Sequence, residues 1–259
     1  MFKGLYTAYT GMINEQNRMD TMTNNLANIT TVGFKKEGTT SQSFDDILTV
    51  KIKDASVGEL NVTRTGIDNP GVKVGENYVD YSQGSFRLTE NTYDLALSGD
   101  GFFAVEFTNK AGETSTKYTR AGNFTLNKDG YLTTEEGDYV LDENSRRIVL
   151  DTLSDSEIRE NGDIEQNGVT VATIQVVDFA DYDYLQRYGE TYFEPIEGAE
   201  IIDSDAEVIS GYLEMSNVQS VQEMVNLITI TRQYESNQKL IQTYDDTMDV
   251  AVNQLGRLS

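Results

Sequence analysis

Residues 227–258, LITITRQYESNQKLIQTYDDTMDVAVNQLGRL, decide the fold. A seven-residue step from Leu227 gives Tyr234, Ile241, Met248 and Leu255. The positions three later are Ile230, Asn237, Tyr244, Ala251 and Leu258. Nine of these ten side chains are apolar, in a chain that is 38% apolar. Such a repeat describes a narrow coiled-coil seam, not the broad stripe of a helix lying on a globular core. At 1.5 Å per residue the segment would be about 48 Å long. A helix of that length at a chain end needs a partner.

The other end of the chain supplies one. Leu5, Met12, Met19 and Leu26, with Ala8, Glu15, Met22 and Ile29, repeat the same spacing, and seven of the eight are apolar. Each seam has one polar member, Glu15 and Asn237, of the kind that fixes register in coiled coils at some cost in stability. The two terminal helices are therefore expected to pair. The first should stop in NNLANITTVGFKKE, residues 24–37. Asn24, Asn25 and Asn28 compete with the helix for backbone hydrogen bonds and can bond groups freed at its end. Gly33 can take the positive φ of an exit turn, and Phe34 can anchor the chain beyond it.

Between the ends the pattern changes to β. GDGFFAVEFTNKAGETSTKYTRAGNFTLNKDGYLTTEEGDYVLDENSRRIVL alternates apolar with polar positions, is rich in Phe, Tyr, Thr and Val, and is punctuated by glycine-containing turns. VTVATIQVVDF at 169–179 continues it. The fold class expected is α+β: residues 1–36 with 213–259 as a helical coiled-coil domain, 37–84 as an extended Thr-, Gly- and Asp-rich connector with short strand-like runs, and 85–212 as an all-β domain.

Composition removes many functions. The chain has 259 residues, a net charge of −23, and neither cysteine nor histidine. Nucleic-acid phosphate and anionic lipid are poor partners for such a charge. Thiol nucleophiles, imidazole bases and His/Cys zinc sites are impossible. The first 36 residues and residues 213–259 together carry only −1, so −22 sits between them, as expected if the middle faces water and the ends face protein. The opening MFKGLYTAYTGMINEQ has no continuous apolar core or small-residue cleavage pattern, so no cleaved secretory signal is expected, and no apolar run approaches a membrane span.

Candidate sites have plain alternatives. Asn127, Asp129, Gly130 and Glu136 match positions 3, 5, 6 and 12 of a calcium loop, but Thr125 stands at position 1 and the flanks are strand-like, so a hairpin turn is expected. Asp178, Asp181 and Asp183 could be drawn as a carboxylate pair, yet a strand end or loop accounts for them. SGDGFF lacks the lysine and following helix of a phosphate loop. No catalytic, cofactor-binding or metal site is expected. A surface binding module of adhesin type, its β domain on a coiled-coil stalk, is one reading of this organisation.

Three blocks carry a resemblance. GLYTAYTGMINEQNRMDTMTNNLANITTVGFKK resembles the opening of the flagellar rod and hook proteins, with their N-N-L-A-N and T-x-G-F-K elements. GYLEMSNVQSVQEMVNLITITRQYESNQKLIQTYDDTMDVAVNQL resembles their closing helix, and DLALSGDGFFAVE with YTRAGNFTLNKDGYL resembles their β domain. The blocks stand in the family's order, and residues 145–210 add little. The resemblance implies paired terminal helices, an outer β domain, no enzymatic activity and no cofactor. Implied partners are further copies of the chain, other rod and hook proteins, and the flagellar export apparatus, through which the chain would reach the basal body uncleaved. Within the family, FDDIL at 44–48, the connector length and EMSNV favour a distal rod subunit over a proximal one; the chain is short for a hook protein.

Overall fold

The computed structural model describes residues 2–52, 62–110 and 112–255. It is α+β, with one long helix near each end and strands between. The chain divides into two compact units: residues 1–26, 37–80 and 220–259 form one, and 27–36 with 81–219 the other.

The first unit contains α1 (Phe2–Ala27), β1 (Lys36–Ser43), β2 (Ile47–Ile52), β3 (Val62–Asp68), β4 (Val72–Asp80) and α2 (Ser220–Val250), whose continuation Ala251–Leu255 is wound as a π-helix. On α2, Leu227, Tyr234, Asn237, Ile241, Tyr244 and Met248 are partly buried and Ile230 is 1% exposed, whereas Ala251 is exposed. Leu258 and the side chain of Leu255 lie outside the described residues. On α1, Leu5, Met12, Glu15, Met19, Met22 and Leu26 are partly buried and Ala8 is buried. Ile29 lies past the end of α1, because the helix stops at Ala27 and a turn takes over at Asn28. The Glu15 carboxylate is bonded by Arg18, 3.0 Å away and one turn on.

Two glycines of α1 lie against α2. A β-carbon on Gly4 would stand 2.3 Å from the Tyr244 hydroxyl, and one on Gly11 would stand 3.1 Å from Asn237 Nδ2. The partners advance by seven residues on α1 and retreat by seven on α2, so the two contacts run in opposite chain directions.

Residues 37–84, expected as an extended connector with short strand-like runs, contain paired strands: β1 pairs with β4, and β2 with β3 in antiparallel register, Leu48 opposite Ile67. The reason is general: an extended segment carries a full set of backbone donors and acceptors that needs partners. β1 is also fastened to α1 by uncharged groups. Asn25 donates to the Glu37 carbonyl at 2.7 Å and accepts its N–H at 2.9 Å; the Thr21 and Thr39 hydroxyls are 2.9 Å apart; Asn14 bonds the Ser41 hydroxyl at 2.9 Å. Nearer the start of α1, the Thr10 hydroxyl reaches the Pro70 carbonyl at 3.3 Å. From Asn25 back to Asn14 the helix covers about 16 Å. From Glu37 to Ser41 the strand covers about 13 Å. The near match lets the strand run back beside the helix.

The second unit is an antiparallel β body. Its largest sheet is centred on Phe102–Thr108, which pairs with Thr114–Thr119 on one side and with Tyr139–Val140 and Val176–Phe179 on the other. A half-buried alternation was expected here. Instead all four residues from Phe102 to Val105 are buried, because both faces of this central strand are covered. Phe102 meets the rings of Tyr81, Phe179, Tyr182 and Phe193 on one side, and Phe103 meets Phe124 on the other at 5.2 Å. Leu97, Leu132, Val140 and Ile164 complete the core around Phe103. Burying one such side chain contributes about 1.5–3 kcal/mol.

Candidate functional site

Both terminal segments enter the β body at one place. The entering leg is residues 27–36, the continuation of α1. There Asn28 is buried and its side-chain oxygen accepts the Thr31 hydroxyl at 3.0 Å. Asn24 is exposed. Asn25, expected to bond groups freed at the helix end, instead bonds the backbone of Glu37, because its carboxamide reproduces the donor and acceptor of a peptide unit and supplies the partner that strand residue needs. Gly33 has φ 68°. A β-carbon there would fall 2.3 Å from the Ala121 nitrogen and 2.5 Å from the Arg120 carbonyl carbon, so both the conformation and the backbone behind it require glycine. Phe34 is fully buried, with the Arg187 guanidinium 4.2 Å from its ring centre.

The leaving leg, residues 212–219, meets it. The Gly33 N–H donates to the Glu214 carbonyl at 2.8 Å, and the Lys36 N–H to Asn217 Oδ1 at 2.8 Å. Asn217 Nδ2 in turn reaches the Ser82 carbonyl at 3.1 Å. Between the legs sits a buried ionic cluster. Lys35 Nζ stands 2.7 Å from Glu214 Oε1 and 2.9 Å from the Ser82 carbonyl; Arg120 Nη1 stands 3.4 Å from Glu214 Oε2; the Gly84 N–H donates to Oε1 at 2.8 Å. Lys35, Arg120 and Glu214 are 1%, 2% and 0% exposed. The Arg120 guanidinium also lies 5.3 Å from the Phe102 ring centre, and its Nε has no hydrogen-bond partner among the described residues. Charges this deep are tolerable only when paired and hydrogen-bonded, and removing one member costs about 3–5 kcal/mol.

The helix-end residues Asn28, Gly33 and Phe34 thus share one site with residues that sequence reasoning did not single out: Lys35, Arg120, Glu214 and Asn217. Each stands inside one of the three blocks that carry the resemblance, which together supply the two positive charges and one negative charge of the cluster. Gly4 and Gly11 were missed too, although glycines seven apart inside a helix are a packing signal.

The other candidates are structural. Asn127–Gly130 is the turn of a hairpin between Phe124–Leu126 and Leu132–Thr134, in which Asn127 accepts the Gly130 N–H through its carbonyl. Asp178 accepts the Tyr182 hydroxyl at 2.7 Å, and Asp181 accepts the Asp183 N–H at 3.0 Å at the start of a short 3-10 turn. Among the described residues no group of three or more acidic side chains is placed to hold a metal ion, and no helix is long and apolar enough to cross a membrane. Burial pushes the Tyr81 phenol up to about 12. Tyr182 and Tyr192 are raised too, by burial and then by their bonds to Asp178 and Asp138.

The site and fold define an α+β protein in which the segment that follows α1 and the segment that precedes α2 meet within a β body. Three family models match it: "Flagella basal body rod protein" over residues 5–35, "Flagellar hook protein FlgE/F/G D1 domain" over 96–172, and "Flagellar basal body rod FlgEFG protein C-terminal" over 209–255. Each contributes one charge to the buried cluster: Lys35, Arg120 and Glu214 respectively. The chain is 33% identical to the flagellar basal-body rod protein FlgG of Bacillus subtilis (strain 168), over 98% of this chain and 99% of that one. It is 30% identical to the rod protein FlgF of Mesorhizobium japonicum over all of both chains, and 29% identical to the flagellar hook-basal body complex protein FlhO of B. subtilis, also over all of both. The chain belongs to the flagellar basal-body rod protein family.

Proposed function

We propose that this chain is a non-enzymatic subunit of the distal rod of the flagellar basal body, polymerising helically into a hollow shaft that transmits motor torque and encloses the export channel. The observation that carries this reading is full-length similarity to rod proteins in a chain whose two ends have matching seven-residue seams. α1 and α2 pair as an antiparallel coiled coil, the Gly4–Tyr244 and Gly11–Asn237 contacts marking its register. Further copies cover the apolar side chains still exposed on the helices: Tyr6, Tyr9 and Ile13 on α1, and Val221, Val225 and Ile228 on α2. Other rod and hook proteins abut the polymer, and the subunit reaches it through the flagellar export apparatus without cleavage. A proximal rod position is the second reading, favoured by the full-length match to FlgF proteins.

Labelled-subunit microscopy of isolated basal bodies tests the assignment. Label should lie along the outer half of the rod; label confined to its base selects the proximal reading, and label absent from the rod overturns both. A chain lacking its last 40 or so residues should fail to incorporate. An adhesin-type binding module would keep its ligand affinity after that truncation.

A further inference from the structure

We infer that Glu214 is a positioning residue: it latches the entering and leaving legs to one point of the β body, so that the roots of both terminal segments stay together whether or not their helices are formed. Through its carbonyl and carboxylate, this one residue of the leaving leg receives Gly33 and Lys35 from the entering leg, Arg120 from the body and Gly84 from the segment beside it. Every one of these contacts is internal to the second unit. None depends on α1 or α2. Residue 27, where α1 ends, is six residues from Gly33, and residue 220, where α2 begins, is three from Asn217. Two segments rooted this way meet each other as an intramolecular event, at an effective concentration in the millimolar range for short tethers. The latch therefore favours pairing of a chain's own two ends over exchange of ends between copies.

The chemistry suits a latch better than a merely stabilising contact. A carboxylate shared by an ammonium, a guanidinium and a backbone N–H accepts several charge-assisted bonds at once, each directional. Apolar packing of the same volume would be as stable or more so, but would not specify which two strands of chain meet. Glu214 is the anion of both ion pairs, so its withdrawal would leave Arg120 buried in the body and Lys35 on the entering leg without a carboxylate.

The test is hydrogen exchange of the full-length, unassembled chain at high dilution, read at the Gly33, Lys36 and Gly84 amides and, for reference, at amides of the central strand Phe102–Thr108. Lys35→Met removes the leg's own charge and leaves the Arg120–Glu214 pair; it should lower protection at Gly33 and Lys36 by at least about 10-fold and leave the central strand within about 3-fold of wild type. Glu214→Gln strands both cations and should lower protection at all three junction amides by about 100-fold or more. Protection at the junction within 2-fold of wild type in Lys35→Met overturns the inference. So does a loss spread equally over junction and central strand, which would make the cluster a general stabiliser of the body. If Glu214→Gln does not fold, Lys35→Met decides. Because the measurement is made on single chains, its failure leaves the rod assignment standing, and failure of incorporation into basal bodies leaves the latch standing.

Discussion

Replacing Gly33 by alanine isolates what the turn before Phe34 requires. The residue has φ 68°, where an L side chain costs about 1–2 kcal/mol. Part of that is offset, by about 0.4–1 kcal/mol, because alanine has fewer unfolded conformations to lose. Steric contact costs more. The new β-carbon would lie 2.3 Å from the Ala121 nitrogen and 2.5 Å from the Arg120 carbonyl carbon; both are backbone atoms, and neither can swing aside as a side chain would. Relief by displacement costs about 1–3 kcal/mol. It also strains the Gly33-to-Glu214 hydrogen bond, worth about 1 kcal/mol net. Gly189 provides a matched control, with φ 70° and nothing within 4 Å of a β-carbon. Gly189→Ala should therefore cost under about 1.5 kcal/mol, and Gly33→Ala about 2–4 kcal/mol more. In urea unfolding of the unassembled chain followed by tyrosine fluorescence, the difference corresponds to a midpoint lowered by about 1–2 M for a slope near 2 kcal/mol/M. Equal midpoints for the two variants would refute the reasoning, since the two sites share their φ and differ in the backbone behind Gly33 and in its bond to Glu214.

Other expectations concern the first unit and the aromatic cluster. Asn25→Ala removes both of its bonds to the Glu37 backbone and should destabilise the first unit by about 2–4 kcal/mol in the same assay. Gly11→Ala adds about 0.5–1 kcal/mol of helix propensity against one tight contact with the end of the Asn237 side chain, so it should be neutral or mildly stabilising. Gly11→Leu should instead raise hydrogen exchange along both α1 and α2, and unchanged exchange would refute their pairing at this register. Tyr81, raised to about 12 from 10 by burial, favours its neutral form in the fold. Its contribution is complete below pH 10 and lost as pH rises through 12. Tyr81→Phe, which cannot ionise, should therefore lose less stability than wild type between pH 10 and 12, measured by urea midpoints across that range.

The helical ends and the β middle were legible because each rests on a period that the backbone imposes. Seven-residue seams put Leu227, Tyr234 and Ile241 on one side of α2, and turn glycines bracket the strands of the body. What was not legible is what depends on partners distant in sequence. Asn14, Thr21 and Asn25 are polar at helical spacing, which by itself signals a face turned to water; only the return of β1 alongside makes them a binding stripe. Lys35, Arg120 and Glu214 lie 85 and 94 residues apart along the chain, and no local pattern says that a lysine next to Phe34 will be buried. Strand Phe102–Val105 departs from alternation for the same reason, because a strand covered on both faces has no wet side to mark with polar residues.

The ladder that fastens β1 to α1 has a consequence for where such a protein can work. Asn14 with Ser41, Thr21 with Thr39, and Asn25 with the Glu37 main chain are all neutral donors and acceptors. Ions in solution largely screen attractions between exposed charges more than about 10 Å apart at 0.1 M, and protons disrupt carboxylate pairs as acidity rises. Neither acts on amides and hydroxyls. In a chain with 43 acidic residues, this ladder is indifferent to brine and to mild acid alike, and its attachment should hold through changes of salt and acidity that loosen ion pairs.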